Sequence, residues 1–241
     1  MVGYMQRYFG LKKVEDNLYL HNSDYHHIKN VMRMKDEDLI EVIIDNNLYL
    51  GCIENVNKNL NIKIKKELNT NKEFLPVVNL IVPLLKESKM DLILQKATEM
   101  GVYKITICPF NRCVVRFDDK KIKSKLERWN RIVKEASEQS FRMNIPSINY
   151  VDCISKLSDI SGLKIICSTK KNINNIKRVL TDNKICDTIN IVIGPEGGFT
   201  EKEEVMLSNF GFVPTSLGNR IMRVESVPLF ILSIINYEYM E

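Results

Sequence analysis

From Val77 onward the chain alternates short apolar runs with amphipathic stretches of helical period. That alternation restricts this part of the molecule to a parallel sheet covered by helices. Asn79–Pro83, Ile105–Cys108, Lys164–Cys167, Ile189–Ile193 and Phe212–Leu217 read as strands. Between them, Ser88–Met100 places Met90, Ile93, Leu94, Ala97 and Met100 at helical spacing and stops at Gly101. Lys121–Ser140 repeats the pattern with Ile122, Leu126, Trp129, Val133 and Ala136, which assigns Trp129 to the core. Further helices are expected around Ile173–Leu180, over Thr200–Phe210 and over Val224–Tyr239. The middle one opens with a T-x-x-E capping box, Thr200 and Glu203.

The first seventy residues follow a different rule. Asp38–Asp45, Leu48–Ile53 and Leu60–Leu68 are β-branched and partly alternating, with Asn46-Asn47 as a tight hairpin turn. Ser23–Met34 reads as one helix, capped by Ser23 or Asp24, with Ile28, Val31 and Met32 on one face. Short strands and one helix predict a small β-barrel. The expected organisation is a barrel domain over 1–72 and an α/β domain over 73–241, joined by the polar stretch Asn69–Glu73.

Six scattered cysteines without a CxxC give neither a disulfide framework nor a zinc signature, and no metal is expected. MVGYMQRYFG lacks an apolar signal-peptide core, and Val227–Ile235 is too short to span a bilayer. A cytoplasmic protein without a membrane partner is expected. Residues 104–146 hold 11 Lys/Arg against 5 Asp/Glu, a net of +6 where the whole chain carries +5. Such clustering fits a polyanionic partner or a solvated helix face laced with local ion pairs. His21, His26 and His27 all fall in the barrel segment, as structural or polyanion-facing residues rather than catalytic ones.

Three segments carry the chemistry. Ile193-Gly194-Pro195-Glu196-Gly197-Gly198-Phe199-Thr200 follows a buried strand and leads into a capped helix, at the strand end where open parallel sheets bind ligands. Its spacing is neither GxGxxG nor a phosphate loop. Leu217 to Ser226 brings Arg220, Arg223 and Glu225 to the end of the next strand. Arginine there suits phosphate or carboxylate, and Glu225 also suits a helix start. Arg128 to Ser140, followed by Arg142, interleaves cations with the apolar stripe.

Together these segments resemble the RsmE family, 16S ribosomal RNA uridine N3-methyltransferases of the SPOUT superfamily. Gln6-Arg7-Tyr8-Phe9, His27-Ile28 through Met34, Lys89-Met90 through Gly101 and Arg112-Cys113 extend the likeness over nearly the whole chain. Ser226-Val227-Pro228 departs from the small pair that relatives often carry after the glutamate. The resemblance implies an N-terminal PUA-like barrel and a C-terminal SPOUT α/β domain with a trefoil knot in the loops after Cys167, Ile193 and Leu217. It implies a homodimer acting on 16S ribosomal RNA in the small subunit. S-adenosylmethionine, leaving as S-adenosylhomocysteine, would be held by Ser168, Thr169, Ile193, Gly194, Glu196, Gly197, Gly198, Leu217, Gly218, Ile221 and Met222.

Catalysis would fall to Arg223, stabilising charge on the uridine, and to Glu225, orienting or deprotonating it. Arg7, Arg33, Arg112, Arg116, Lys120, Lys121 and Lys123 would contact RNA phosphates. Two other readings share these residues: a SPOUT enzyme methylating a ribose 2′-hydroxyl, and a non-catalytic RNA-binding protein of ribosome assembly.

Overall fold

The computed structural model describes residues 5–56, 59–69, 76–170, 173–184 and 186–239. It divides into two compact units, Met1–Glu73 with Ser137–Asn144, and Phe74–Ala136 with Ile145–Glu241. Of the linker expected over 69–73, residues 70–73 lie outside the described residues.

The first unit is built on a six-stranded sheet. Its strands are β1 (Gln6–Phe9), β2 (Lys12–Val14), β3 (Asn17–Tyr19), β4 (Leu39–Ile44), β5 (Asn47–Val56) and β6 (Asn59–Leu68), in the order β1-β4-β5-β6-β3-β2. Only β1 against β4 is parallel. β1 and β2 form the two edges yet are separated only by Gly10 and Leu11, whose amides donate to Ile43 and Tyr19 at 2.8 and 2.7 Å. One bent segment therefore closes the sheet into the expected barrel. A Cβ at Gly10 would lie 2.7 Å from Ile44, so the bend needs glycine. Tyr8, Leu18, Ile28, Ile40, Val42, Ile53 and Ile62 fill the interior.

Two local expectations shift here. The β4–β5 turn is Asp45-Asn46, one residue earlier than expected. Both residues have positive φ, as a two-residue hairpin turn of the primed type requires, and Asp and Asn both tolerate that region. The single helix expected over 23–34 is α1 (Asn22–His26) followed by a wide π turn over His27–Val31. Asp24 is buried inside α1 rather than capping it. The wider turn keeps Ile28 in the core and leaves Val31 and Met32 exposed, away from its face.

The second unit is an all-parallel sheet of β7 (Val77–Pro83), β8 (Lys104–Cys108), β9 (Ser147–Tyr150), β10 (Leu163–Cys167), β11 (Thr188–Ile193) and β12 (Val213–Thr215). The order is β12-β10-β11-β7-β8-β9. The helices are α2 (Glu87–Glu99), α3 (Asp119–Gln139), α4 (Ile176–Asp182), α5 (Glu201–Asn209) and α6 (Ser226–Tyr239). The edge strand β9 was not expected from the sequence. α4 starts later than expected because Asn175 caps it, accepting from the Arg178 amide. α6 starts at Ser226 rather than Val224.

Along α3, Ile122, Trp129, Val133 and Ala136 are buried, Ile122 and Val133 each contributing roughly 1.5–3 kcal/mol. Its outer face pairs with α2: Arg128 grips Asp91 through two bonds of 2.7 and 2.6 Å, and Lys125 reaches Glu87 at 3.0 Å. Among the described residues no helix is long and apolar enough to cross a membrane, and no group of three His, Cys, Asp or Glu is placed to hold a metal.

Candidate cofactor and catalytic site

Strands β7, β10 and β11 lie side by side at the switch point of the sheet, where the chain order reverses. Carboxyl ends of parallel strands at such a point leave a crevice. A cavity of about 710 Å³ opens there, lined by Cys167 at the end of β10, Ile193 at the end of β11 and the loops that follow them. The structure brings Thr169, Ile193, Gly194, Glu196, Gly197, Gly198, Ile221, Met222 and Arg223 onto its walls. These residues come from three separate stretches of sequence.

The Gly194–Gly198 loop turns sharply because α5 starts immediately after it. Gly198 has φ +70°, and its amide donates to the Pro195 carbonyl at 2.8 Å. Thr200 and Glu203 complete the capping box in both directions, so the loop enters the helix at a fixed angle. Arg112, itself on the cavity wall, braces the loop. Its Nη1 donates to the carbonyls of Gly197 and Phe199 at 2.9 and 3.2 Å. A Cβ at Gly197 would come within 3.0 Å of the Arg112 side chain, so the loop and the arginine approach as closely as glycine permits.

The segment after β12 forms the opposite wall. Gly218 has φ +120°, and its amide donates to Ser216 Oγ at 3.2 Å. Ser216 also pairs with Asn174 and Ile176, which ties this segment to the one after β10. Arg223 is exposed at the cavity wall. Glu225 lies just before α6, with a half-buried side chain.

Three expected cofactor residues lie off the walls. Ser168 is buried and donates to Glu204 Oε1 at 2.8 Å, Leu217 packs on the hydrophobic core, and Gly218 serves the turn. Glu225 lines an adjoining apolar groove of about 570 Å³ with Leu92, Leu229, Phe230, Ile234 and Tyr237.

Sequence reasoning missed Lys89, Lys170 and Glu204, all on the cavity wall. Glu204, in the first turn of α5, is buried and pairs with Lys170. That hydrogen bond is the chief cause raising the Lys170 pKa. Lys89 pairs with Glu196 at 3.0 Å and with Glu225 at 3.6 Å. A lysine in the first turn of a helix opposes the helix dipole, and that was the available signal. Burial pushes the Cys167 thiol up to about 12, so it faces the cavity uncharged.

The expected RNA-contacting cations divide. Arg7 pairs with Glu41, donates to the Phe141 carbonyl and lies over the Phe141 ring at 5.1 Å. Arg116 donates to the carbonyls of Phe110 and Asn111. Arg33, Lys120, Lys121 and Lys123 are exposed, Lys121 with Asp118 3.8 Å away.

Comparison with known proteins agrees with this layout. An RNA methyltransferase domain model matches residues 72–236, and an RNA methyltransferase PUA domain model matches residues 20–65. The Bacillus subtilis ribosomal RNA small subunit methyltransferase E is 32% identical, the match covering 97% of both chains. A Legionella pneumophila protein solved with bound cofactor SAM superposes with a TM-score of 0.88 at 27% identity, over 97% of each chain. Ribosomal RNA small subunit methyltransferase E from Neisseria gonorrhoeae, solved bound to S-adenosyl methionine, superposes at 0.87 with 25% identity over 98% of each. With a SPOUT-like α/β methyltransferase fold behind a small PUA-like β-domain, and a cavity walled by the loops after β10, β11 and β12, this chain belongs to the ribosomal RNA small subunit methyltransferase E family.

Proposed function

We propose that this protein transfers the methyl group of S-adenosylmethionine to N3 of a uridine in 16S ribosomal RNA. The observation that carries the reading is the cavity shared by the Gly194–Gly198 loop and the segment bearing Arg223. Its volume, about 710 Å³, suits a nucleoside-sized cofactor. A Cβ at Gly198 would meet nothing within 4 Å, so the loop offers bare backbone beside open space. Ile193, Ile221, Met222 and Val227 supply apolar walls for a purine ring, and Glu196, Glu204 and Lys170 supply polar ones. Bound there, S-adenosylmethionine provides an activated methyl on a sulfonium.

The chain's own residues have two tasks. They hold the acceptor in line with that methyl, and they make uridine N3 nucleophilic by removing a proton whose pKa lies well above neutral. Glu225 orients the base or accepts its N3 proton. Arg223 stabilises the negative charge that spreads onto the uridine carbonyl oxygens. Exposed Arg33, Lys120, Lys121 and Lys123 meet RNA phosphates. Arg7, Arg112 and Arg116 act mainly as braces, their guanidinium groups being engaged within the chain.

A SPOUT-type knot is supported by the strand order, in which β12 lies beyond β10, and by the pairing of Ser216 with Asn174 and Ile176. A homodimer is supported by the apolar groove along α6, where Leu92, Phe230 and Tyr237 stay exposed in the single chain.

The test is transfer of labelled methyl from S-adenosylmethionine into small ribosomal subunits and into naked RNA, followed by identification of the nucleoside. 3-Methyluridine supports the proposal. A 2′-O-methylated nucleoside, or no incorporation, overturns it.

A further inference from the structure

Lys89 is the third residue of α2, where free amide groups and the helix dipole disfavour a cation. Its ammonium nevertheless reaches two carboxylates from distant parts of the chain. It lies 3.0 Å from Glu196 Oε1, in the loop after β11, and 3.6 Å from Glu225 Oε2, in the segment after β12. Glu225 Oε2 is shut off from solvent and has no hydrogen-bond partner among the described residues. The Lys89 charge is what the structure sets against it. The Lys89 pKa is raised, first by its hydrogen bond to Glu196, then by the charges of Glu196 and Glu225, with desolvation opposing. At neutral pH this side chain is therefore an ammonium.

We infer that Lys89 is a positioning residue: one ammonium ties together the two segments that wall the cofactor cavity and aims the Glu225 carboxylate. This rests on the reading that the cavity takes S-adenosylmethionine. Lys89 acts through Glu196 on the shape of the cavity and through Glu225 on the chemical step. Loss of its charge affects both affinity and turnover, whereas loss of a mere surface ion pair affects neither.

The experiment uses the full-length protein. S-adenosylhomocysteine is titrated calorimetrically into wild type, Lys89→Met, Lys89→Arg, Glu196→Gln and the Lys89→Met/Glu196→Gln double variant, and kcat is measured at saturating S-adenosylmethionine. Lys89→Met is expected to weaken affinity and lower kcat, each by about tenfold. Lys89→Arg, keeping the charge, recovers most of both. The double variant is expected to lose less affinity than the sum of the two single losses, because part of what Glu196→Gln removes is its bond to Lys89. Lys89 is about one-third exposed, so the variants are expected to fold, and melting curves verify this. If Lys89→Met does not fold, Lys89→Gln takes its place.

Wild-type affinity and turnover in the charge-deleted variant would overturn the inference while leaving the cavity assignment intact. Additive losses in the double variant, or failure of arginine to recover either quantity, would also overturn it. Absence of binding to the wild type overturns both.

Discussion

Arg112 donates to the carbonyl of Gly197 over 2.9 Å, holding the loop with which it shares the cavity wall. A second bond to Phe199 spans the point where the loop becomes α5. Arg112→Ala removes both and frees the loop to sample other shapes. Affinity for S-adenosylhomocysteine should fall about tenfold, the equivalent of roughly 1.4 kcal/mol. Calorimetry measures it. A loss of RNA affinity with unchanged cofactor affinity would instead return Arg112 to phosphate binding.

Glu225→Gln keeps the side-chain shape and removes the base. It should lower kcat by about a hundredfold or more while leaving the melting temperature within a few degrees of wild type. Arg223 is exposed at the cavity wall, so Arg223→Ala should cost about a hundredfold in kcat with little loss of stability. Single-turnover methyl transfer separates these effects from product release. Full turnover in either variant removes that residue from the chemistry.

Much of the α/β unit was legible because its signals are local. Thr200 and Glu203 cap α5 within four residues, and the helical spacing of Met90, Ile93, Leu94 and Ala97 marks the buried face of α2 directly. The glycine loop was legible as a candidate site because a strand, a glycine cluster and a cap follow in order, and it lines the cavity. What escaped depends on distant partners. The four-residue edge strand β9 owes its existence to β8. Lys89 has its hydrogen-bonding partner 107 residues away. Counting cations also fails to reveal which are already engaged. Arg7, Arg112, Arg116, Lys125 and Arg128 look alike in the sequence to Lys120 and Lys123, yet each of the five holds a partner within the chain.

That division of cations has a direct test. The Arg7 side chain is only 9% exposed and pairs with Glu41. Arg7→Ala strands that carboxylate and should destabilise the protein by about 3 kcal/mol. Replacing Lys120, Lys121 and Lys123 together by alanine should leave stability nearly unchanged. It should weaken RNA binding and reduce the slope of log affinity against log salt by up to about one for each phosphate left without its cation. Denaturant unfolding and filter binding at several salt concentrations measure the two effects. An unchanged salt slope would remove these lysines from the RNA footprint.

Burial raises three thiols, Cys108, Cys113 and Cys167, and takes Cys108 and Cys167 from an ordinary value of 9.0 to about 12. Between those values the unfolded chain has lost protons that the native protein still holds, so stability falls as pH rises from about 9 to about 12. Below pH 9 this contribution is fully present. Cys108→Ala and Cys167→Ala should flatten the alkaline fall in melting temperature. In thiol labelling at pH 8, exposed Cys153 should react well before either. An equal alkaline slope in the variants would remove these cysteines as its cause.

The claim most in need of a direct measurement is that the Gly194–Gly198 loop forms one wall of a cofactor cavity. Calorimetric titration of S-adenosylhomocysteine into the wild type and into Gly198→Val measures it. A β-branched residue cannot readily adopt the φ of +70° found at Gly198. The wild type should bind one equivalent, and the variant should bind at least about tenfold more weakly while still melting cooperatively. No binding to the wild type, or equal affinity in a folded Gly198→Val protein, would contradict the assignment.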